Sequence, residues 1–434
     1  MSGKNKITTK KEDAGAMLVP TLRFPEFRET KGWESSILGD LSEVVRGGSP
    51  RPIDGFITTL KDGLNWLKIG DVDKDAKYVT RTAEKVRPEA LSKTRVVNPG
   101  DLILSNSMSF GRPYILQIKT CIHDGWIAIT KISEKADRDF LYYSISAPSS
   151  QRYFVDNAAG SGVQNLNAEI IKALPICFPS LIEQQRIAGC LNSMDELISA
   201  QARNVGELKT HKKGLMQQLF PRDYENQPRL RFPEFQNTGD WEEKRLEDLA
   251  KRGSGHTPSK SHSEYYNGGI KWVSLADSKR LDNGIISETA IEISKEGIKN
   301  SSAVLHPKGT VFVSRDAGIG KSAVMGEPMA VSQHFIAWTC NSRMLSNWFL
   351  YHLLQNAKPR IERAATGSTI KTIGLQFFID LAFRVPVLAE QQRIAECLNH
   401  LDNLITDEIK KLETLKTHKK GLIQRIFPAL EDLE

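Results

Sequence analysis

"EQQRIAGCLNSMDELI" occupies residues 183–198, and "EQQRIAECLNHLDNLI" returns at 390–405. In the first copy Ile187, Cys190, Leu191, Met194, Leu197 and Ile198 recur at three- and four-residue steps, the spacing of one face of an α-helix. The second copy repeats the pattern with Ile394, Cys397, Leu398, Leu401, Leu404 and Ile405 and carries it on to Leu415. Each run continues into a second shared segment, "LKTHKKGLMQQLFP" at 208–221 and "LKTHKKGLIQRIFP" at 415–428. No proline interrupts either run before the closing Phe-Pro, where proline disfavours further helix. A helix from Glu183 to Leu219 would be roughly 55 Å long, a length suited to a spacer rather than to a globular core.

Outward from these helices the chain is a duplication. "LRFPEF" stands at 22–27 and 230–235, each followed by a tryptophan, Trp33 and Trp241. Each half thus holds a variable region of about 150 residues and a nearly identical helical segment, a domain with an appended element. The variable regions carry short apolar runs, "DLILS" (101–105), "GWIAIT" (125–130), "GTVFVS" (309–314) and "FIAWT" (335–339), broken by Gly, Pro, Asn and Asp. That pattern predicts strands, with a helix following each sheet near 138–154 and 346–364.

The predicted fold class is α+β: two strand-rich domains in tandem, each followed by a long helix. The two helices, Ile187, Leu191, Met194, Leu197 and Ile198 on one and Ile394, Leu398, Leu401, Leu404 and Ile405 on the other, are expected to pair as an antiparallel coiled coil with pseudo-twofold symmetry. The alternative is that each helix packs on its own domain. The expected divisions are a basic tail at 1–20, a first domain at 21–180 and its helix at 181–221. A second domain at 222–387, its helix at 388–428 and a short tail at 429–434 complete the chain.

The 434 residues carry 59 basic and 52 acidic side chains, a net charge of +7 that is too mild to identify a partner without local support. Cys121, Cys177, Cys190, Cys340 and Cys397 are widely spaced with no C-x-x-C pair. They read as buried thiols in a reducing cytoplasm, against a disulfide framework or zinc site. No apolar run approaches the roughly 20 residues of a bilayer span, so no membrane association is expected.

"SRDAGIGKSAV" (314–324) ends like a phosphate-cradling loop, which would make Lys321 and Ser322 nucleotide ligands. The first glycine of that pattern falls on Arg315, and the stretch after Ser322 reads as strand rather than helix. The equivalent stretch of the first half, "LILSNSMSFGRPYIL" (102–116), has no G-K-S. G-x-G-x-x-G, H-E-x-x-H, G-x-S-x-G and any Pro-Pro pair are also missing, and the nine histidines lack metal-ligand spacing. No catalytic or metal-ligating residue is assigned.

The repeated helices, the two "LRFPEF...W" openings, the two "LKTHKKGL...FP" tails, and "GSGVQNLNAEIIKALPI" with "GSTIKTIGLQFFIDL" resemble the DNA-specificity subunit of bacterial type I restriction-modification systems. The resemblance covers essentially the whole chain after about residue 20. It implies a subunit without catalytic activity, whose two target-recognition domains each take one half of an interrupted site on double-stranded DNA. It implies as partners two methyltransferase subunits using S-adenosylmethionine, and up to two motor-nuclease subunits using ATP and Mg, with no cofactor in this chain. A coiled-coil assembly scaffold that does not read DNA is the alternative function.

Three loops recur in both halves and supply candidate DNA contacts. The first offers Arg46, Ser49 and Arg51, against Arg252, His256, Thr257, Ser259 and Lys260. The second, a hairpin, offers Asn106, Ser109 and Arg112, against Arg315, Asp316 and Lys321. The third offers Ser161, Gln164 and Asn165, against Ser368, Thr369 and Lys371. Trp33, Trp241, Phe24 and Phe232 are expected to pack, because they are identical in halves that should read different bases.

Overall fold

The computed structural model describes residues 19–106, 110–158, 166–367 and 371–428. Its contacts divide the chain into two compact units, Met1–Ala200 with Leu412–Glu434, and Gln201–Lys411. Each unit therefore combines one variable domain with the first turns of its own long helix and the last turns of the other.

In the first unit β1 (Glu34–Ile37), β2 (Glu43–Arg46), β3 (Leu64–Leu67), β4 (Tyr78–Val79), β5 (Leu102–Ser105), β6 (Pro113–Leu116), β7 (Thr120–Ile122), β8 (Trp126–Thr130) and β9 (Pro175–Phe178) belong to three sheets, which three short strands at Ile57–Thr58, Glu84–Val86 and Arg95–Val97 complete. One runs β2-β8-β5-β6-β4, a second five-stranded sheet is centred on β3 and β7, and β1 pairs with β9. Strands β5, β6 and β8 are buried along nearly their whole length, as their unbroken apolar runs require. Helix α1 (Arg138–Ser146), N-capped by Asp137, and α2 (Pro148–Asn157) come next. Ala147, extended ahead of Pro148, breaks what sequence suggested as one helix.

The second unit repeats the plan with β10 (Glu242–Arg245), β11 (Ala250–Ser254), β12 (Tyr266–Val273), β13 (Ile285–Ile286), β14 (Val311–Ser314), β15 (Ser322–Met325), β16 (Ala330–Val331), β17 (Phe335–Cys340) and β18 (Ala382–Val385). Its main sheet runs β11-β17-β14-β15-β13, the same order as in the first unit, and β10 pairs with β18. The long helices are α3 (Leu181–Leu219) and α5 (Leu388–Ile426); α4 (Asn347–Arg363), capped by Ser346, takes the place of α1.

The repeated motifs turn out to be clasps. Glu183, 1% exposed, accepts from Arg23 Nε at 2.8 Å, Arg23 Nη2 at 2.7 Å and Trp33 Nε1 at 3.3 Å. Glu390 holds Arg231 and Trp241 in the same way. Gln184 donates to the carbonyls of Pro179 and Lys135 and accepts from Asp137 N, stapling the start of α3 to the N-terminus of α1. Gln391 does the same for α5 and Ser346. The aromatic residues pack, as expected. Trp33 and Phe140 meet Phe427, from the end of α5, while Trp241 and Phe349 meet Phe220, from the end of α3. Phe24 and Phe232 lie against the same cores, each capped by an arginine, Arg186 and Arg393.

Within each unit the segments of α3 and α5 run antiparallel. In the second unit Lys212 reaches Asp402 at 2.6 Å, while Gln201, further back on α3, reaches Glu408, further along α5. In the first unit Lys419 pairs with Asp195, the positions equivalent to Lys212 and Asp402. The seam differs in detail from the sequence expectation. Ile187 and Leu191 belong to the core of the first domain, Ile394 and Leu398 to that of the second. Ile405 is buried and Met194, Ile198 and Leu401 are half-buried, whereas Leu197 and Leu404 are 54% and 38% exposed and stand outside the seam. The apolar stripe is wider than the seam, because the early turns serve the domain cores and the central turns are polar at Gln201 and Glu408. The expectation of uniformly buried cysteines also needs correction: Cys121 and Cys177 are buried, but Cys190, Cys340 and Cys397 are half-buried.

Candidate nucleic-acid interface

Strand registers establish which residues of the two units occupy the same place. Ser105 faces Trp126 across β5 and β8, as Ser314 faces Phe335 across β14 and β17. Arg46 faces Ile127 and Ser254 faces Ile336, which makes Ser254, not Arg252, the counterpart of Arg46. The sequence comparison of the first loops was two residues out of step. Arg252 lies within β11 and is tied to Glu247 at 2.5 Å, so it is not a loop residue.

In the corrected register "RGGSPR" (46–51) matches "SGHTPS" (254–259). The two glycines at the start of the loop explain why the turn is the same. A Cβ on Gly47 would lie 2.2 Å from the His123 carbonyl oxygen, and one on Gly255 2.1 Å from that of Val331. Both clashes are with backbone, so only glycine lets the loop lie against the link that joins β7 to β8 or β16 to β17. Gly48 N donates to the Ile122 carbonyl at 3.2 Å, and His256 N to that of Val331 at 3.1 Å.

That link, His123-Asp124-Gly125 against Ser332-Gln333-His334, is the part of the site that sequence reasoning missed. Asp124 gathers four of the predicted contacts. Ser49 Oγ donates to its Oδ1 at 2.8 Å, Arg51 Nη2 to its Oδ2 at 3.3 Å, and Arg46 Nε and Asn106 Nδ2 to its carbonyl at 2.9 Å each. Partial burial opposes the charge on Asp124, but the Ser49 hydroxyl with His123, Arg46 and Arg51 outweighs it and holds the carboxyl below the usual range. Burial pushes the His123 imidazole down from its ordinary value. A cleft of about 660 Å³ opens here, lined among others by Arg46, Arg51, Trp66, Lys68 and His123. The only forward signal for Asp124 was its position, directly before a strand already recognised.

In the second unit Gln333 replaces Asp124 and accepts from Thr257, the counterpart of Ser49. His334 is paired through Nδ1 with Asp316 of the hairpin. Arg315 N donates to the His334 carbonyl at 2.9 Å, and its Nε to the Ile373 carbonyl at 3.0 Å. Ser259 and Lys260 continue the first loop and are exposed, and Lys371 is exposed on the third. Just after the stretches predicted as third loops, Leu166 N donates to the Asn106 carbonyl at 3.2 Å and Ile373 N to the Arg315 carbonyl at 2.8 Å, at the bases of the two hairpins. Ser109, Ser161, Gln164, Asn165, Ser368 and Thr369 lie outside the described residues.

The hairpin also explains the apparent phosphate loop. Gly320 has φ +77°, matching Gly111 at +69°, and each closes a β-hairpin by donating to the carbonyl of Ser314 or Ser105. Lys321 and Arg112 are then equivalent residues entering the return strand. Lys321 is held by Asp282 at 2.9 Å, and Arg112 lies 3.9 Å from Asp75. Ser322 is buried in β15 and accepts from Gln355. The chain leaves Gly320 as the strand β15, so no helix N-terminus faces a phosphate here. Among the described residues no group of three or more His, Cys, Asp or Glu side chains could hold a metal, and no helix is long and apolar enough to cross a membrane.

The type I restriction modification DNA specificity domain matches residues 30–208 and again 238–417. The chain belongs to the type I restriction-modification specificity family. Members of that family are the non-catalytic subunits of their systems, the catalytic activities residing in partner subunits. This specificity subunit is 23% identical over 425 residues to the type I restriction enzyme MjaVIII specificity subunit of Methanocaldococcus jannaschii, covering 94% of this chain and 93% of that protein. It is 29% identical over 245 residues to the EcoR124I/EcoR124II specificity subunit of Escherichia coli, covering 54% and 56%. The S subunit of the M. genitalium type I system shares the fold, with a TM-score of 0.58 at 16% identity over 95% of this chain and 99% of that one.

Proposed function

We propose that each domain of this specificity subunit reads one half of a bipartite, asymmetric site on double-stranded DNA, and that the paired helices set the spacing and dock two methyltransferase subunits. The reading rests above all on one observation. The loop scaffold is the same in both units, while the residues it carries differ. They differ at Arg46/Ser254 and Arg51/Ser259, exposed in both units, and at Gly48/His256 and Asp124/Gln333, half-buried in the first unit and exposed in the second. They differ also at the half-buried or buried Asn106/Arg315 and Gly125/His334, Asn106 being 2% exposed and so a support of the loop rather than a contact. Non-identical readers on one scaffold suit a non-palindromic site. Half-sites on one face of B-DNA lie about 34 Å apart or a multiple of it, a separation within the span of a 39-residue helix. Leu197 and Leu404, exposed at equivalent places on the two helices, are apolar surface that a docked subunit would cover.

The test is long-read sequencing of methylated adenines in DNA from a methylation-free host that expresses this chain with its methyltransferase subunit. A two-part motif with a fixed gap, present only when this chain is, is the expected result. Co-purification of the two proteins without any motif would instead favour a scaffold that does not read DNA.

A further inference from the structure

We propose that Asp124 is a positioning residue that aims the Arg46 and Arg51 guanidinium groups at guanine in the half-site read by the first domain. The inference deepens the half-site reading and rests on it. Guanine presents two acceptors, O6 and N7, to the major groove, and an arginine fork satisfies both when its plane is held in place. A free arginine side chain carries about 2 kcal/mol of rotamer entropy, and an anchor that takes one N–H removes part of that cost before the base arrives.

Asp124 is such an anchor, and it is itself over-determined. Its Oδ1 accepts from Ser49 Oγ while its backbone N donates to the same hydroxyl at 3.2 Å. Its carbonyl takes Asn106 Nδ2, which fixes the link to the hairpin. These contacts leave Oδ2 for Arg51 and the rest of the carbonyl for Arg46. Arg46 is held through Nε, and the residue is exposed. Arg51 is held through Nη2, and its side chain is 82% exposed. Pro50, buried between Ser49 and Arg51, limits the backbone freedom of the loop. A carboxylate that stays charged between two arginines also prevents their mutual repulsion in the free protein.

The second unit supplies an internal comparison. With Ser254, Ser259 and Gln333 at the three equivalent positions it has the hub, the glycine and the proline but no arginine–carboxylate pair there; its hub guanidinium, Arg315, stands at the Asn106 position and is held by the Ile373 carbonyl instead. The guanine preference that depends on Asp124 should therefore belong to one half-site only.

The experiment uses the full chain with its methyltransferase subunit, sequenced for methylation as above, comparing the native chain with Arg51→Lys, Arg46→Lys and Asp124→Asn. Each lysine keeps charge but loses the fork, and should relax discrimination at one guanine of one half-site by about 5- to 150-fold, the equivalent of losing one bidentate pair. Asp124→Asn removes the Oδ2 acceptor of Arg51 but keeps the main-chain carbonyl that holds Arg46. It should therefore relax the guanine assigned to Arg51 more than that assigned to Arg46, while the other half-site and the gap stay unchanged, which also shows that the variant folds and assembles. If the native chain gives a two-part motif and the variants leave it unchanged, or weaken every position alike as a phosphate contact would, the assignment to guanine is overturned and half-site reading stands. A half-site altered by these variants but containing no guanine overturns it equally. If the native complex yields no motif at all, half-site reading itself fails, and the inference falls with it.

Discussion

Glu183→Ala should destabilise the first unit severely while leaving the second unchanged. Glu183 is 1% exposed, and the Arg23 side chain that it neutralises is 5% exposed. Removing the carboxylate takes away both charge-assisted bonds, at 2.8 and 2.7 Å, and the acceptor of Trp33 Nε1. Arg23 keeps only the carbonyls of Thr30 and Lys31 and the Thr30 hydroxyl, so its charge remains buried without a counter-ion. Breaking such a pair from one side costs about 3–5 kcal/mol. For a unit of this size each kcal/mol moves the midpoint of thermal unfolding by roughly 2–4 °C, giving a drop of about 6–20 °C. Because a chain of two units has no single unfolding free energy, the assay is hydrogen exchange read by mass spectrometry through a urea series, comparing peptides over 22–33 with those over 230–241. Arg23→Met with Glu183→Leu should recover most of the loss, since the penalty is the stranded charge. A loss under about 1 kcal/mol for Glu183→Ala, or an apolar pair no more stable than the single variant, would refute the reasoning.

The second unit gives two further expected outcomes. His352 is fully buried, with Nε2 on Asn399 at 2.8 Å, and burial first of all lowers its imidazole to about 3. Below the unfolded value near 6.5 the unfolded chain binds a proton that the folded one refuses, so stability falls by about 1.4 kcal/mol for each pH unit from 6.5 towards 3. His352→Tyr, which installs the residue found at the equivalent first-unit position, Tyr143, should remove that slope. Urea midpoints of the second unit at pH 7.5 and pH 5 that shift equally in both chains would count against it. At the loop, Gly255→Ala should weaken binding to the specific duplex roughly tenfold or more, because the new methyl meets backbone oxygens 2.1 and 2.2 Å away. Gly239→Ala, with nothing within 4 Å, should bind as the native chain does, and equal affinities for both variants would show that the loop tolerates displacement.

The duplication, the long helices, the strand runs and the packing of the tryptophans could all be read from the sequence, because each rests on local periodicity or on direct repetition. The first loop and the hairpin were also legible as turns, since Gly, Pro and Ser mark turns wherever they cluster. Their register was not. "RGGSPR" aligns by eye with "RGSGHTPSK" on the arginine, whereas the strand pairing that makes Ser254 the counterpart of Arg46 depends on hydrogen bonds to residues about 80 positions away. Asp124 was missed for the same reason: nothing near it in the chain distinguishes it, and its role arises only when residues 46, 49, 51 and 106 converge on it. The long helices carry a similar division. Sequence alone determined that Glu183 to Ile198 and Glu390 to Ile405 are amphipathic helices with identical beginnings, because a 3.6-residue period is a local property. Only tertiary structure decided that Glu183 and Glu390 are buried beneath arginines about 160 residues distant, that Phe427 closes the first domain and Phe220 the second, and that Leu197 and Leu404 face outward. Those outcomes depend on which surfaces meet, and burial of charge or of aromatic area has no counterpart in a repeat pattern.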